Sequence, residues 1–181
     1  MKMKLIKLLA LGLITATTAF GANVDLSKSS LKWEGSKVTG KHHGEIFFKK
    51  ASVEMKEGKL AGGDFVVNMD TFTITDLDGA MAKKFLGHMK SKDFFETEKF
   101  PEAKLKIKSV KGKTATADLT IKGKTNEVKF DLNKEAKTYS GVLKFDRTKF
   151  DMRYGSGDFF KNLGDKMINN DVKVNFKFVV K

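Results

Sequence analysis

The sequence predicts an all-β protein with one short inserted helix, built as an antiparallel barrel or sandwich. Three observations carry this prediction. Apolar and polar residues alternate with a period of two through most of the chain. Turn residues follow one another at short intervals, which leaves room for about eight strands. A single stretch, residues 79–91, instead repeats its apolar residues at helical spacing.

The first strands lie in LKWEGSKVTGKHHGEIFFKK, residues 31–50. Residues 51–70 indicate two further strands joined at a turn around Glu57-Gly58. The pair Gly62-Gly63 predicts a bulge or a bend, because glycine weakens a regular strand and often marks such a site.

The later strands alternate more regularly. Residues 103–110 place alanine, leucine and isoleucine on one face and lysines on the other. Residues 114–132 indicate two strands around a turn at Gly123, and residues 138–146 indicate another. The last strand, DVKVNFKFVVK at residues 171–181, directs its valines and phenylalanines to one side.

The helical stretch is amphipathic. Met81, Phe85, His88 and Met89 recur at positions i, i+4, i+7 and i+8, which puts them on one face. Asp76 or Asp78 could cap the start of the helix. One short helix inserted between the strands of a barrel is suited to act as a lid or a plug.

The interior is expected to be rich in phenylalanine, since the chain has 16 Phe but one Trp and two Tyr. Phenylalanine can be buried without a hydrogen-bond partner. A barrel of eight strands is either filled by its side chains or holds one ligand, and periodicity does not choose between the two.

Residues 1–21 resemble a secretory signal peptide. Three lysines precede an apolar run that is too short to span a bilayer comfortably, and small residues at 19 and 21 predict cleavage after Gly21. Residues 22–181 then form one domain, and its location is predicted to be the periplasm or the cell exterior. The chain has no cysteine, which excludes disulfides, thiol catalysis and a lipid-modified cysteine.

The formal net charge is +13, but the basic residues are spread along the whole chain. Many lie at every second position of a strand, which favours a solvated outer surface. No aromatic-basic motif for nucleic acid is present, so we expect no nucleic-acid partner. Attraction to an anionic membrane surface is the alternative role for this charge.

The spacing of the three histidines does not favour a metal site or a catalytic site. His42, His43 and His88 form none of the metal-binding patterns of zinc sites, and we predict no metal. Ser91 and Asp93 lie close to His88 in sequence, but neighbours on one helix end do not converge on a substrate. We therefore predict no catalytic residues and no enzymatic activity.

The two arginines stand out among 33 lysines. On a single strand, the even spacing of Arg147 and Arg153 would keep both on one face. The planar guanidinium suits carboxylates, phosphates and backbone carbonyls. Arg147 is therefore expected either to fix a carboxylate or a loop, or to meet the headgroup of a ligand.

Four segments, in this order, resemble the YceI family of exported proteins. They are WEGSKVTGKHHG (residues 33–44), GHMKSKDFF (87–95) followed by KFPEAKLKIKS, DLTIKGKTNEV (118–128) and FDRTKF (145–150). The resemblance implies an antiparallel, eight-stranded, lipocalin-like barrel that encloses an apolar cavity. It also implies a long-chain amphiphile as ligand: a polyisoprenoid, a polyprenyl phosphate, an isoprenoid quinone or a fatty amide.

The expected ligand-binding residues come from the strands, the helix and the arginine segment. They are Phe65, Val67, Met81, Phe85, His88, Met89, Leu105, Ile107, Phe145, Arg147, Phe176 and Phe178. No cofactor is expected apart from a bound isoprenoid lipid or quinone, and a homodimer is left open. The alternative function is an envelope stress or adhesion protein that acts through its basic surface and has a solid barrel.

Overall fold

A computed structural model describes residues 20–181. It contains ten strands and one α-helix within that range, together with short 3-10 turns. The strands are β1 (Phe20–Asn23), β2 (Ser30–Lys37), β3 (Gly40–Lys56), β4 (Lys59–Asn68), β5 (Glu102–Lys111), β6 (Thr114–Ile121), β7 (Lys124–Asp131), β8 (Asn133–Glu135), β9 (Thr138–Asp146) and β10 (Ile168–Val179). The helix α1 spans Gly79–Lys90.

The strands form one antiparallel sheet in the order β7-β6-β5-β4-β3-β2-β10-β9-β8, and β1 pairs with the far end of β3. The sheet curls until β7 and β9 lie side by side. No ladder joins those two strands among the described residues, and at one point they come so close that a Cβ on Gly141 would lie 2.3 Å from the Asp131 carbonyl oxygen. The prediction of an antiparallel barrel-like fold with one helix is confirmed. The eight longer strands match the expected number, and β1 and β8 are short additions.

Tight turns set the register of the hairpins. Glu57 and Gly58 have φ of 51° and 71°, and Lys122 and Gly123 have φ of 50° and 70°. Two consecutive positive φ values are what the favoured two-residue hairpin turn requires. The predicted turns are therefore present, and the predicted irregularity lies beside Gly62, where the β3–β4 register shifts by one residue.

The helix meets the barrel only over its second half. The side chain of Met81 is 66% exposed, that of Phe85 is partly buried, and Met89 is 8% exposed. Asp78 occupies the N-cap position, but its side chain makes no capping hydrogen bond. The helix ends at Lys90, and the Ser91 hydroxyl donates back to the His88 carbonyl, 2.7 Å away.

The segment before the helix runs along the first half of β3. The amides of Thr73 and Thr75 donate to the carbonyls of Glu45 and His43, each over 2.9 Å. A Cβ on Gly44 would lie 2.0 Å from the Thr73 carbonyl oxygen, so this close passage requires glycine. Residues 71–76 thus fasten the helix to one edge of the barrel opening.

The arginine segment departs from the expected single strand. Arg147 lies in the 3-10 turn Arg147–Phe150 that follows β9, whereas Arg153 lies in the loop beyond it and is exposed. Asp146 caps the turn through its bond to the Thr148 amide. The chain leaves the sheet after Asp146, and Asp151 ends the 3-10 turn in a left-handed conformation with φ of 62°. The two arginines therefore do not share a strand face.

Candidate functional site

A cavity of about 410 Å³ runs down the inside of the barrel. Its walls come from the inward faces of all eight longer strands, and α1 covers part of one end. The lining is almost entirely apolar along the strands. The question that periodicity leaves open, whether the barrel is filled or hollow, is answered by this cavity.

Eleven of the twelve expected site residues line the cavity. Strand residues in this group are Phe65, Val67, Leu105, Ile107, Phe145, Phe176 and Phe178, and the others are Phe85, His88, Met89 and Arg147. Met81 is the exception, and its assignment to the lining was wrong. The helical period puts Met81 on the same face as Phe85, but the first turn of α1 lies outside the barrel wall and leaves Met81 exposed.

Several lining residues were not foreseen. Trp33, Phe48 and Leu119 line the cavity from β2, β3 and β6. The alternation of apolar and polar residues along these strands could have identified them. Phe72 and Tyr154 lie in segments without a regular period. Sequence alternation gives no information about such residues, because the path of the loop decides where they point.

The closed end of the barrel is packed with aromatic rings. Tyr139 stacks on Phe178 at 5.1 Å between centroids, and Phe178 contacts Phe65 at 5.0 Å. Phe130 meets Phe176 edge to face at 5.3 Å. Because Phe178 is only 2% exposed, these rings form a solid floor beneath the cavity.

The opposite end carries the polar part of the lining and is the mouth of the cavity. Lys37 is the last residue of β2, Asn169 lies at the start of β10, and Tyr154 lies in the loop between β9 and β10. All three are exposed to solvent as well as to the cavity. His42 and His88 complete the polar lining on the side of the helix.

Aromatic contacts hold the helix over this mouth. Trp33 lies between Phe72 and Phe85, with ring centroids at 4.5 Å and 6.0 Å and nearly parallel planes. The Trp33 indole nitrogen donates to the Thr73 carbonyl over 2.9 Å. On the other side, His88 packs edge to face on Tyr154 at 4.6 Å. The helix is therefore attached at both flanks by aromatic contacts, which are stacked at Trp33 and edge to face at His88.

A hydrogen-bonded contact between His42 and Asp76 adds to this attachment. The His42 Nδ1 lies 2.7 Å from the Asp76 Oδ2, and the His43 amide donates to the other Asp76 oxygen over 3.0 Å. Burial raises the pKa of the Asp76 carboxyl, but the hydrogen bonds from His43 and His42 outweigh it and hold that pKa below its ordinary value. Asp76 is thus ionised and binds the helix segment to β3 at neutral pH.

Arg147 is the buried cation of the site, with 2% exposure. Its Nε and Nη2 donate to the carbonyls of Asn169 and Ile168 over 3.0 Å each, and its Nη1 donates to the Met152 carbonyl. Burial lowers the pKa of the Arg147 guanidinium, and the charge of Asp146 offsets part of this effect. The group remains protonated, as arginine does in proteins.

This arrangement confirms the expectation that Arg147 fixes a loop, one of the two roles predicted for it. It excludes a carboxylate partner within the described chain. Its three hydrogen bonds fix the loop after β9 to the start of β10, and no carboxylate of residues 20–181 lies within 4.0 Å of it. Arg147 also lines the cavity. A positive charge therefore lies next to the mouth, and its hydrogen-bond partners in the described chain are backbone carbonyls.

The described residues contain no group of three or more His, Cys, Asp or Glu that could hold a metal ion. Within the same range, no helix is both long and apolar enough to cross a membrane. What the site offers chemically is an apolar channel with a polar, positively charged mouth.

These features define a class: an antiparallel β-barrel with an apolar cavity that opens at one end beneath a helix. The model of the YceI-like domain family matches residues 23–180, which is most of the chain. The protein therefore belongs to the YceI-like family, and the resemblance noted in the sequence is confirmed.

Solved structures share the fold. The barrel resembles BcnA of Burkholderia cenocepacia with a TM-score of 0.67 and 23% identity, over 88% of this chain and 100% of BcnA. It resembles a polyisoprenoid binding domain from Saccharophagus degradans, implicated in plant cell wall breakdown, with a TM-score of 0.57 and 13% identity, over 92% of this chain and 100% of that domain. The YCEI protein of Campylobacter jejuni matches with a TM-score of 0.51 and 14% identity, over 99% of both chains.

Curated relatives match over a shorter stretch. UPF0312 proteins of Staphylococcus aureus, among them that of strain N315, are 44% identical over 57 residues. The match covers 32% of this chain and spans 30% of the length of those relatives.

Proposed function

We propose that the protein binds a long-chain amphiphilic lipid, with the apolar tail inside the barrel and the headgroup at the mouth. Candidates are a polyisoprenoid, a polyprenyl phosphate, an isoprenoid quinone and a fatty amide. The protein carries or stores this lipid without changing it chemically. No cofactor takes part, unless the bound isoprenoid lipid or quinone is counted as one.

The observation that carries the proposal is the apolar cavity of about 410 Å³, within the usual size range of ligand sites. A hydrocarbon tail transferred from water into such a lining gains about 25 cal/mol per Å² of buried apolar area, less the cost of ordering the tail. A lining with few polar groups gives affinity for tails and little selectivity between them. The flexible thioether of Met89 favours the same tolerance.

The mouth favours a headgroup that accepts hydrogen bonds. Arg147 brings a buried positive charge without a carboxylate partner among residues 20–181. Tyr154, Lys37 and Asn169 offer further donors at the same end. A phosphate or a quinone carbonyl would meet these donors, because charged and polar donors near a site bind such oxygens most strongly.

The relatives support the proposal at the level of the class. The similar domain of Saccharophagus degradans is described as polyisoprenoid-binding. The cellular location is proposed from residues 1–21, which read as a cleavable signal peptide, and the proposed location is the periplasm or the exterior. Residues 1–19 lie outside the described range, and cleavage after Gly21 stays a prediction.

Native mass spectrometry after gentle purification, together with uptake of a fluorescent prenyl chain, tests the proposal. Ala103→Trp adds an indole to the cavity wall and should reduce uptake at least about tenfold. Lys106→Trp is the matched control, since it adds the same side chain to the outer face of the same strand, where Lys106 is exposed. The proposal fails if wild-type protein neither retains a lipid nor takes up the probe.

The surface-acting alternative receives less support. It expects a solid barrel, whereas the described residues enclose a cavity. It also predicts that reversing several outward lysines abolishes function and that Ala103→Trp leaves function intact. Ala103→Trp and a variant with several outward lysines substituted therefore separate the two functions.

A further inference from the structure

Three segments surround the mouth and touch one another in a ring. They are the β2–β3 hairpin tip (residues 37–41), helix α1 and the loop 153–167, and together they are called the rim here. Phe85 of the helix contacts His42 beside the hairpin at 5.1 Å, and His88 contacts Tyr154 of the loop at 4.6 Å. The Val38 amide closes the ring by donating to the Met167 carbonyl over 3.2 Å.

The rim carries an unusual share of the exposed apolar side chains. Nine large hydrophobic residues are exposed within residues 20–181, and five of them lie on the rim: Val38, Met81, Tyr154, Phe159 and Phe160. Each of the three segments contributes at least one. Phe159 and Phe160 are each 48% exposed, and neither belongs to the packed core. Exposed apolar groups concentrated at one place mark an interaction site.

The same segments are basic. They contain eight lysines and arginines and two aspartates. Lys37, Lys161 and Lys166 are exposed, and no carboxylate of the described chain lies within 4.0 Å of their amino groups. Arg153 lies over the ring of Phe159 at 4.9 Å, so a cationic group and an aromatic ring adjoin on this surface. Basic residues mixed with exposed aromatic rings fit an anionic lipid surface.

We propose that the rim docks on the surface of an anionic phospholipid bilayer and holds the mouth of the cavity against it. Phe159, Phe160, Val38 and Met81 enter the headgroup layer, while the rim lysines face lipid phosphates. This role goes beyond ligand binding, since the docking surface lies outside the cavity. It gives the apolar tail of a membrane lipid a path into the barrel that does not cross water.

Vesicle co-sedimentation tests the docking surface. The protein and its variants are expressed from the full chain, purified in soluble form, and mixed with phosphatidylcholine vesicles that contain either no anionic lipid or about one third phosphatidylglycerol. Phe159→Ser with Phe160→Ser should weaken binding to the anionic vesicles about tenfold or more. Lys161→Glu with Lys166→Glu should weaken it by a similar factor and remove much of its salt dependence.

The matched control is Phe47→Ser with Val142→Ser, which removes two equally exposed apolar side chains from the barrel wall. This control should bind as the wild type does. The proposal is overturned if the Phe159/Phe160 variant binds normally, if the wall variant loses as much, or if wild type binds both kinds of vesicle equally. Prenyl uptake in the absence of vesicles is measured on the same proteins and should be unchanged in the Phe159/Phe160 variant. If wild-type protein takes up no prenyl chain, the proposed lipid binding is refuted, and the vesicle result still decides the docking proposal.

Discussion

The two ends of the barrel are built on different principles. The closed end consists of strand residues whose rings stack on one another, and Phe178 there is 2% exposed. The mouth consists of a helix, residues 71–76 and a loop, joined by a few aromatic contacts and hydrogen bonds, among them the contact between His42 and Asp76. Close packing of apolar side chains stabilises the fold, whereas polar contacts that water can replace permit opening. Stability and access therefore belong to opposite ends of the barrel.

Phe178→Ala at the closed end should have the largest effect. Removing a fully buried ring leaves a void and is expected to cost about 3–5 kcal/mol of unfolding free energy. Urea denaturation measures this loss. Phe159→Ala at the mouth is the control and should change stability little, because that ring is half exposed. Equal losses in the two variants would contradict the division between the ends.

Arg147→Met should come next, at about 3 kcal/mol. It removes the donors of three backbone carbonyls, those of Met152, Ile168 and Asn169, and leaves them without partners. Urea denaturation gives the loss of stability. Arg147→Lys keeps the charge and should recover part of the lost stability. A lysine variant as unstable as Arg147→Met would show that the planar fork of donors, and not the charge, stabilises the fold.

Gly44→Ala should cost about 1–3 kcal/mol and act mainly on the mouth. The new methyl group would collide with the Thr73 carbonyl and the Trp33 indole, which forces residues 71–76 away from β3. Hydrogen exchange should speed up at Thr73 and Thr75 while the amides of β6 stay protected. Gly87→Ala is the control, since nothing lies within 4 Å of a Cβ at that helix position.

Acid should loosen the mouth before the closed end, with the smallest effect of the series. The pKa of Asp76 is lowered in the folded state, so its contribution to stability is complete above the pKa of the unfolded chain. That contribution is lost as the pH falls below about 4 and through the folded pKa. Fluorescence of Trp33, the single tryptophan, reports the change because its indole bonds to Thr73.

Asp76→Asn should abolish this acid-dependent fluorescence step. Asp70→Asn, at an exposed position of the same segment, should leave the step in place. A step that persists in Asp76→Asn would assign the acid sensitivity to another group.

The sequence predicted the closed end better than the mouth. Alternation on β5 and β10 placed Leu105, Ile107, Phe176 and Phe178 on the correct face, because a period of two admits only two choices per strand. The turn at Glu57-Gly58, which lies at this end, was recognisable from residues that tolerate positive φ.

The mouth was harder to predict for physical reasons. The helical period grouped Met81 with Phe85, but periodicity does not tell where along its length a helix meets the barrel. Tyr154 and Phe72 reach the cavity from irregular segments, and their positions depend on long-range bonds such as that from Trp33 to Thr73. The even spacing of Arg147 and Arg153 suggested a common strand face, which fails because the strand β9 ends at Asp146, before either arginine.

The ends of the described chain lie next to each other, far from the mouth. Val24 bridges Val180, and the Lys181 amide donates to the Asn23 carbonyl over 2.9 Å. A fluorophore, an affinity tag or a surface linker attached at Lys181 would therefore leave the entrance unobstructed. The same proximity makes the barrel a candidate for circular permutation, with the old ends joined by a short peptide and new ends opened in the Lys111–Thr114 hairpin on the side of the floor.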